Sequence, residues 1–212
     1  MKKKKIILLG GGGHCKSCID VIESTGEYEI VGIVDEKEKI GNEVFGYKII
    51  ATDDQLQNLR KKYEYAIITV GQIQSAKLRI KLFDLVNDLG FILPTIIAST
   101  AYVSKYSVVG KGTIIMHQSM INADVKIGEN CIINTKALIE HDCEIGNHCH
   151  ISTTSVLNGN VIIGNKCFVG SNTTFFNNIS ITNNVILSSN SLVTKDIKNA
   201  GVYVGNPIRK IR

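Results

Sequence analysis

The second half of the chain carries a large apolar residue at every sixth position, seventeen times in succession. An α-helix repeats every 3.6 residues and a strand every two, so neither alone accounts for a period of six. A repeat this short predicts a β-solenoid in which each hexad supplies one short strand and one corner. The apolar column consists of Ile97, Val103, Val109, Ile115, Ile121, Ile127, Ile133, Ile139, Ile145, Ile151, Leu157, Ile163, Val169, Phe175, Ile181, Leu187 and Val193.

A second column, of mostly small or β-branched residues, lies two positions before the first. Residues two apart in a strand point to the same face, so both columns are predicted to point into the solenoid. Four of the six cysteines belong to this second column, where a free cysteine packs as a small hydrophobe. They are Cys131, Cys143, Cys149 and Cys167.

A third signal recurs every eighteen residues, at Gly110, Gly128, Gly146 and Gly164. One glycine per three hexads predicts three strands per coil and a triangular prism. We expect these glycines to occupy a corner that requires positive φ. Asparagine tolerates the left-handed region, so other corners are assigned to Asn122, Asn134, Asn158, Asn178 and Asn184.

The first ninety residues alternate between strand and helix patterns. The pattern predicts four strands, over 3–9, 29–34, 65–70 and 91–93, and two helices, over 15–25 and 75–89. A capping box at Thr52–Gln55 predicts a further helix that extends to about residue 62. Such alternation is typical of a parallel sheet with helices on its faces. The predicted organisation is an α/β Rossmann-like domain over residues 1–94, followed by an all-β parallel β-helix over 95–212.

A ligand site is predicted where the first strands end, since ligands of such sheets bind at the carboxyl ends of strands. Glycines at a helix N-terminus hold phosphate oxygens, and an acidic side chain accepts hydrogen bonds from hydroxyl groups. Cys15 occupies the third glycine position of the dinucleotide fingerprint, so a nucleotide-sugar fits this site better than NAD. The alternative that these residues form a tight turn without any ligand stays open. The candidates are Gly12, Gly13, His14, Asp35, Glu36 and Gly71.

Composition excludes several other classes. The net charge of +5 comes mainly from Lys2–Lys5 and the last four residues, which we interpret as solvated termini, so no nucleic-acid partner is expected. No stretch of eighteen apolar residues is present, which predicts no membrane insertion and a cytoplasmic protein. His148, Cys149 and His150 resemble metal ligands, but the register turns Cys149 inward and both histidines away from it, so no metal is expected.

One hexad differs from the others in its outward residues, because His141 lies between Glu140 and Asp142. A neighbouring carboxylate orients an imidazole and raises its basicity, which is what a general base requires. These three residues are therefore the predicted catalytic group. His150 is a second candidate that points outward, and His117, without an acidic neighbour in sequence, is treated as background.

The whole chain resembles the NeuD/PglD-type sugar acetyltransferases of bacterial sialic acid and amino-sugar pathways, which are hexapeptide-repeat acyltransferases. The segments that carry the resemblance are Gly12–His14, Val34–Glu36, Asn134–His141 and Val204–Pro207. The resemblance implies a left-handed β-helix, acetyl-CoA as co-substrate, and a homotrimer with active sites between neighbouring prisms.

The resemblance also implies residue roles. His141 would be the general base and Asp142 would sharpen its basicity, while Gly12, Gly13, His14, Asp35, Glu36 and Gly71 would bind the nucleotide-sugar. His150 and the backbone of Gly170 would face acetyl-CoA. The chain departs from the family at Cys15 (commonly Gly), Asp142 (often Glu), Ser188–Asn190 (usually Gly and Ala) and Ile208 (usually Ala).

The functional hypothesis is N-acetylation of the amino group of a UDP- or other nucleotide-linked amino sugar in bacterial glycan biosynthesis. O-acetylation of sialic acid or a related nonulosonic acid uses the same base and fold and stays open. From other classes, the alternatives are a non-catalytic nucleotide-binding scaffold and an NAD-linked oxidoreductase, which the incomplete fingerprint disfavours.

Overall fold

The computed structural model describes residues 3–212, so Met1 and Lys2, which begin the predicted first domain and its basic run, lie outside the described residues. The N-terminal part alternates strands and helices as predicted. Its strands and helices are β1 (Lys4–Leu9), α1 (Gly13–Thr25), β2 (Tyr28–Val34), β3 (Glu43–Val44), β4 (Tyr47–Ala51), α2 (Leu56–Arg60), β5 (Tyr65–Ile68) and α3 (Lys77–Asp88).

These strands form a five-stranded sheet in the order β3-β4-β2-β1-β5, parallel except for the β3–β4 pair. The Rossmann-like prediction is confirmed, and the capping box between Thr52 and Gln55 is present, although it opens a 3₁₀ turn ahead of α2. The β3–β4 hairpin is absent from the sequence prediction because it is short and only partly apolar. Its turn uses Phe45 and Gly46, both with positive φ. The predicted strand over 91–93 is reduced to one bridge between Tyr65 and Ile92.

The second half is a left-handed parallel β-helix with three strands per coil, and strands eighteen residues apart pair in register. Sheet I has eight strands: β6 (Ile96–Ile97), β9 (Ile114–Ile115), β12 (Ile132–Ile133), β15 (His150–Ile151), β18 (Phe168–Val169), β21 (Val185–Leu187), β23 (Gly201–Val204) and β24 (Arg209–Lys210). Sheet II has six: β7 (Tyr102–Val103), β10 (Met120–Ile121), β13 (Leu138–Ile139), β16 (Val156–Leu157), β19 (Thr174–Phe175) and β22 (Leu192–Val193). Sheet III has five: β8 (Val108–Val109), β11 (Lys126–Ile127), β14 (Glu144–Ile145), β17 (Ile162–Ile163) and β20 (Ser180–Ile181).

The apolar column fills this prism from Ile115 onward, where every member is buried. Its first member is an exception, because Ile97 is 37% exposed and the preceding Ile96 is buried instead. The hexad register is kept, since Ile96 and Ile97 pair with Ile114 and Ile115. Ile96 packs against the N-terminal domain, whereas Ile97 lies on the edge strand of sheet I, at the open end of the prism. β6 begins at Ile96, close to the predicted domain boundary between residues 94 and 95. The exact position of that boundary stays a prediction.

The prediction that the period-eighteen glycines need positive φ is wrong. None of these four residues has positive φ. They are glycines because successive coils approach closely: a Cβ on Gly110 would lie 2.6 Å from the backbone of Gly128. Positive φ occurs instead at the residue before each member of the small column, from Gly112 onward. Asn178 and Asn184 have this conformation as predicted, whereas Asn122, Asn134 and Asn158 do not.

The two halves share an apolar core. The outward residues of the first strands in sheet I, Ile114 and Ile132 among them, are fully buried and pack with residues of α1 such as Cys18 and Ile19. This period-eighteen series of outward apolar residues is visible in the sequence but is not part of the sequence prediction. Its consequence is that sheet I is covered at one end by the N-terminal domain, which places the two predicted binding regions side by side.

A buried arginine strengthens the same junction. Arg79 of α3 is 1% exposed, and its Nη1 donates to Ile68 O (2.8 Å) and Val70 O (2.9 Å). Its Nε donates to Asn130 O of the β-helix at 3.2 Å. Burial lowers the pKa of Arg79 to about 10, which leaves the guanidinium charged near neutral pH. The charge is therefore solvated by backbone carbonyls from both halves.

All six cysteines are buried and unpaired by disulfides. Four of them line the prism as predicted, and the other two, Cys15 and Cys18, lie in α1. Across residues 3–212, none of the helices has both the length and the apolar character needed to cross a bilayer.

Candidate active site

The predicted catalytic group lies at the corner between sheets II and III. Asp142 Oδ2 is 2.6 Å from His141 Nδ1, and both side chains are more than half exposed. Asp142 has φ of 62°, a left-handed conformation that aspartate tolerates. This hydrogen bond, followed by the charges of Asp142 and Glu140, raises the pKa of His141 above its usual value. The carboxylate keeps the proton on Nδ1, so Nε2 of the neutral ring can accept a proton.

Glu140 has a different environment from Asp142. Its Oε2 accepts a hydrogen bond of 2.9 Å from Asn122 Nδ2 on the preceding coil. It therefore acts on His141 through its charge alone, while Asp142 makes the direct contact.

A glycine that the sequence analysis did not select lies beside the imidazole. A Cβ on Gly159 would come within 2.7 Å of His141 Cε1 and 2.8 Å of Nε2. Gly159 occupies the same corner one coil later, and Ala123 occupies it one coil earlier. Because the repeat accepts alanine there, the contact with His141 is what requires glycine. The offset of eighteen residues is the sequence signal that identifies it.

His150 lies on the outer face of sheet I, as predicted, but it is only 6% exposed because the N-terminal domain covers it. Its Nδ1–H donates to Gln72 O at 2.6 Å, and its ring lies 5.2 Å from that of Phe168 and 6.5 Å from that of His14. Burial lowers the pKa of His150 to about 4, so the ring is neutral near pH 7.

Beside His150 is a cavity of about 540 Å³. Its lining includes Phe168, Ile186 and Val202, together with hydroxyl and amide groups. Ser188 and Ser189, where the sequence departs from the family, also line it. An apolar groove with a few polar groups suits an acyl chain that carries amides.

Gly170 adjoins this region but is buried beneath the next coil. Its N–H donates to Leu187 O at 2.9 Å, and a Cβ would lie 2.5 Å from Ser189 N. Its backbone N–H is therefore engaged in the prism, and its contact with acetyl-CoA stays a prediction.

The predicted nucleotide-sugar residues meet at the start of α1. Gly12 caps the helix, Gly13 begins it, and both have open space where a Cβ would be. His14 follows and lies close to Gly71, on which a Cβ would be 3.4 Å from His14 Cβ. Burial, followed by the charge of Arg79 and the proximity of His150, lowers the pKa of His14 to about 3.

Asp35, the first residue after β2, supports this turn. Its Oδ2 accepts from Gly11 N at 2.6 Å and its Oδ1 from Glu36 N at 2.7 Å and Lys39 Nζ at 3.1 Å. Partial burial would raise the pKa of Asp35, but these hydrogen bonds outweigh it and lower the pKa. Asp35 and Glu36 line a cavity of about 520 Å³, which includes Asp53 and the apolar Val70 and Leu82.

The structure thus brings His14, Gly71 and His150 together and leaves His141 apart. In the triangular cross-section, the corner between sheets II and III lies opposite sheet I. Within one chain, the His141 corner and the His150 cavity therefore face different sides of the prism.

Two further observations concern His117 and the residue types that bind metal ions. His117 has an acidic neighbour in space, with Nε2 3.1 Å from Asp20 Oδ2, at the junction of α1 and the prism. Among residues 3–212, no group of three or more His, Cys, Asp or Glu side chains is arranged to hold a metal ion.

Comparison with known families matches both halves. The PglD N-terminal domain matches residues 5–86, and the bacterial transferase hexapeptide repeat matches 106–141 and 142–177. No match was found among curated protein sequences.

Solved structures match along the full chain. Perosamine N-acetyltransferase from Caulobacter crescentus, determined with CoA and GDP-perosamine, is 30% identical with a TM-score of 0.91, covering 98% of this chain and 97% of that one. The acetyltransferase domain of PglB from Neisseria gonorrhoeae, determined with acetyl coenzyme A, is 25% identical with a TM-score of 0.92, covering 99% and 100%. WeeI from Acinetobacter baumannii, at 19% identity and a TM-score of 0.86 over 99% and 100%, shows the shared fold.

A Rossmann-like domain followed by a hexapeptide β-helix defines a hexapeptide-repeat acyltransferase with an added α/β domain at its N-terminal side. Within that class, the chain belongs to the NeuD/PglD-type sugar acetyltransferases.

Proposed function

We propose that the protein transfers the acetyl group of acetyl-CoA to the amino group of a nucleotide-linked amino sugar. The observation that carries the proposal is the 2.6 Å contact between His141 Nδ1 and Asp142 Oδ2 on an exposed corner of the prism. The ligands of the two relatives, acetyl coenzyme A in one and CoA with GDP-perosamine in the other, support it.

In the proposed reaction, the sugar amine attacks the thioester carbon and a new C–N bond forms. His141 Nε2 takes the proton that the amine loses, and Asp142 stabilises the resulting imidazolium through Nδ1. The C–S bond then breaks, and the imidazolium returns a proton to the departing CoA thiolate. Transfer is direct, because Cys143 and Cys149 are buried in the prism and are not accessible as nucleophiles.

The nucleotide-sugar is proposed to bind at the carboxyl ends of β1, β2 and β5. Gly12, Gly13 and His14 offer the N–H groups of a helix start to phosphate oxygens. Asp35 contributes by holding the glycine turn, since its oxygens are already engaged. Glu36 and Gly71 complete the proposed substrate-binding set.

The acetyl-CoA is proposed to lie in the cavity beside His150 and near Gly170. Since this cavity and His141 lie on different sides of one prism, the proposal requires a homotrimer in which the corner of one protomer meets sheet I of its neighbour. Exposed apolar residues on the outer face of sheet II, Tyr102 at 56% and Met120 at 47%, support association through that side.

The compartment proposed for this reaction is the cytoplasm. Six buried cysteines without a disulfide are compatible with a reducing compartment. A role in sialic acid biosynthesis would instead make the acceptor a hydroxyl group, and the same base would serve.

The test is a thiol-release assay with acetyl-CoA and a panel of acceptors. UDP- and GDP-linked amino sugars should release CoA thiol, and the product should carry an N-acetyl group by mass spectrometry. Sialic acid and CMP-sialic acid serve as the hydroxyl acceptors. Acetylation of these alone would overturn the N-acetyl assignment, and no binding of acetyl-CoA in calorimetry would favour a non-catalytic scaffold.

A further inference from the structure

The loop after β5 contains one glutamine that is unlike its neighbours. Gln72 is 3% exposed, whereas Ile73 is 65% exposed and Gln74 is also exposed. Burying an amide costs free energy unless its hydrogen bonds are replaced, so a buried glutamine in a surface loop requires partners.

Those partners belong to two successive coils of the β-helix. Gln72 Nε2 donates to His148 O at 2.9 Å and more weakly to Cys167 O at 3.4 Å. Both acceptors are carbonyl oxygens, so the NH₂ group of the amide, and not its oxygen, must face them. Gln72 Oε1 is buried and has no hydrogen-bond partner among residues 3–212, a cost that fold stability alone does not explain.

The backbone of the same residue contacts His150. Gln72 O accepts a hydrogen bond of 2.6 Å from His150 Nδ1. On the other side of the ring, Asn134 Nδ2 lies 3.1 Å from His150 Nε2. Asn134 Oδ1 accepts from Thr135 N at 2.8 Å, so the amide must present its NH₂ group to His150. The ring is therefore protonated on Nδ1, and Nε2 is an acceptor.

We propose that Gln72 is a positioning residue: its side chain anchors the loop to two coils so that its carbonyl fixes His150 in the Nδ1–H tautomer beside the acetyl-CoA cavity. The N-terminal domain thereby sets the geometry of a site that lies on the β-helix. This inference rests on the proposed function only in naming acetyl-CoA as the ligand of that cavity.

The experiment replaces the amide while keeping its volume. Gln72→Met removes both donated hydrogen bonds, and Gln74→Met makes the same change at an exposed glutamine two residues away. We expect Gln72→Met to raise the Kd for acetyl-CoA about tenfold by calorimetry, because a group misplaced by a fraction of an ångström loses its contacts. Gln74→Met should leave the Kd unchanged, and Gln72→Asn should fail to rescue because its amide is one methylene short.

The tautomer is read separately by ¹⁵N NMR of the imidazole. His150 in the unaltered protein should show a protonated Nδ1 and an unprotonated Nε2 near pH 7. Gln72→Met should show a larger fraction of the Nε2–H tautomer, because only the Asn134 amide then favours the Nδ1–H form. The proposal is overturned if the unaltered protein has the Nε2–H tautomer, or if a folded Gln72→Met variant keeps both the tautomer and the Kd. The tautomer measurement needs no substrate, so a protein that does not bind acetyl-CoA would refute the proposed function and still leave this inference tested.

Discussion

The His141 corner and the His150 cavity use the same side chain in opposite ways. At the corner, an exposed imidazole with a carboxylate at 2.6 Å has a raised pKa. In the cavity, a buried imidazole between Gln72 O and Asn134 Nδ2 has a pKa lowered to about 4. The first histidine is suited to take a proton, and the second holds one proton in a fixed place. Exposure and neighbouring groups, rather than residue type, therefore separate a base from a histidine that keeps its proton in place.

Removing the exposed imidazole is expected to have the largest effect. His141→Ala should lower kcat by about 10²- to 10⁴-fold, the range typical for loss of a general base. The Kd for acetyl-CoA should change little, because the cavity proposed to hold it is lined by other residues, such as Phe168 and Ile186, and not by His141. His117→Ala is the matched control, since His117 also has an aspartate within 3.1 Å but lies away from both regions. Near-full activity of His141→Ala would remove the corner from the mechanism.

The second-largest loss of activity is expected from a substitution that crowds the His141 imidazole. Gly159→Ala places a methyl group where it would contact the His141 ring at 2.7 Å, so the ring must move. A shift of about 1 Å at a reacting group can cost about 10²-fold in kcat. Thermal unfolding should be little altered, because Ala123 occupies the same corner elsewhere in the repeat. A loss of activity matched by a large loss of Tm would indicate instead that the coil itself was disrupted.

The cavity side is tested by the pH dependence of stability. The pKa of His150 is about 4 when folded and about 6.5 when unfolded, so the unfolded chain binds more protons between these values. The stabilisation is complete above pH 6.5 and is lost as pH falls toward 4, amounting to about 2 kcal/mol by pH 5 at order of magnitude. Denaturant unfolding from pH 8 to 5 measures this. His150→Asn should remove the share of this slope that comes from His150 and leave the share of His14, whose pKa burial also lowers. An unchanged slope would argue against a neutral, buried His150.

Asp142→Asn should have the smallest effect on kcat, and it should shift the pH dependence of kcat. The raised pKa of His141 means that the free base, and hence kcat, declines as pH falls through that value. Without the carboxylate, the pKa returns toward its usual value, so the acidic limb should shift to lower pH. The maximal rate should fall about tenfold because Nδ1 loses its charged partner. A stationary acidic limb would assign that limb to another group.

The comparison also separates what the sequence can predict from what it cannot. The hexad columns predicted the prism, the inward cysteines and the outward carboxylates around His141, because a regular repeat fixes side-chain direction residue by residue. The period-eighteen glycines were misassigned because a close approach between coils and a positive φ both require glycine, and sequence does not distinguish them. The burial of His150 was missed because it depends on how the N-terminal domain covers sheet I.

Gln72 illustrates a further limit. Nothing in the local sequence distinguishes it from Gln74, since only the loop's contact with His148 O and Cys167 O separates them. The series Ile96, Ile114 and Ile132 on the outer face of sheet I was the available signal that this face is covered. The outward positions at the coil period therefore mark this junction in the sequence.

The most direct test of a site divided between protomers is to mix two inactive variants. His141→Ala removes the base, and Phe168→Arg blocks the cavity beside His150 while leaving the corner intact. The two proteins are unfolded and refolded together, and native mass spectrometry confirms that mixed trimers form. We predict that the mixture regains acetyl transfer, because some interfaces then pair an intact corner with an intact cavity from the neighbouring chain. Mixed trimers that stay inactive would show that the site is not divided between protomers.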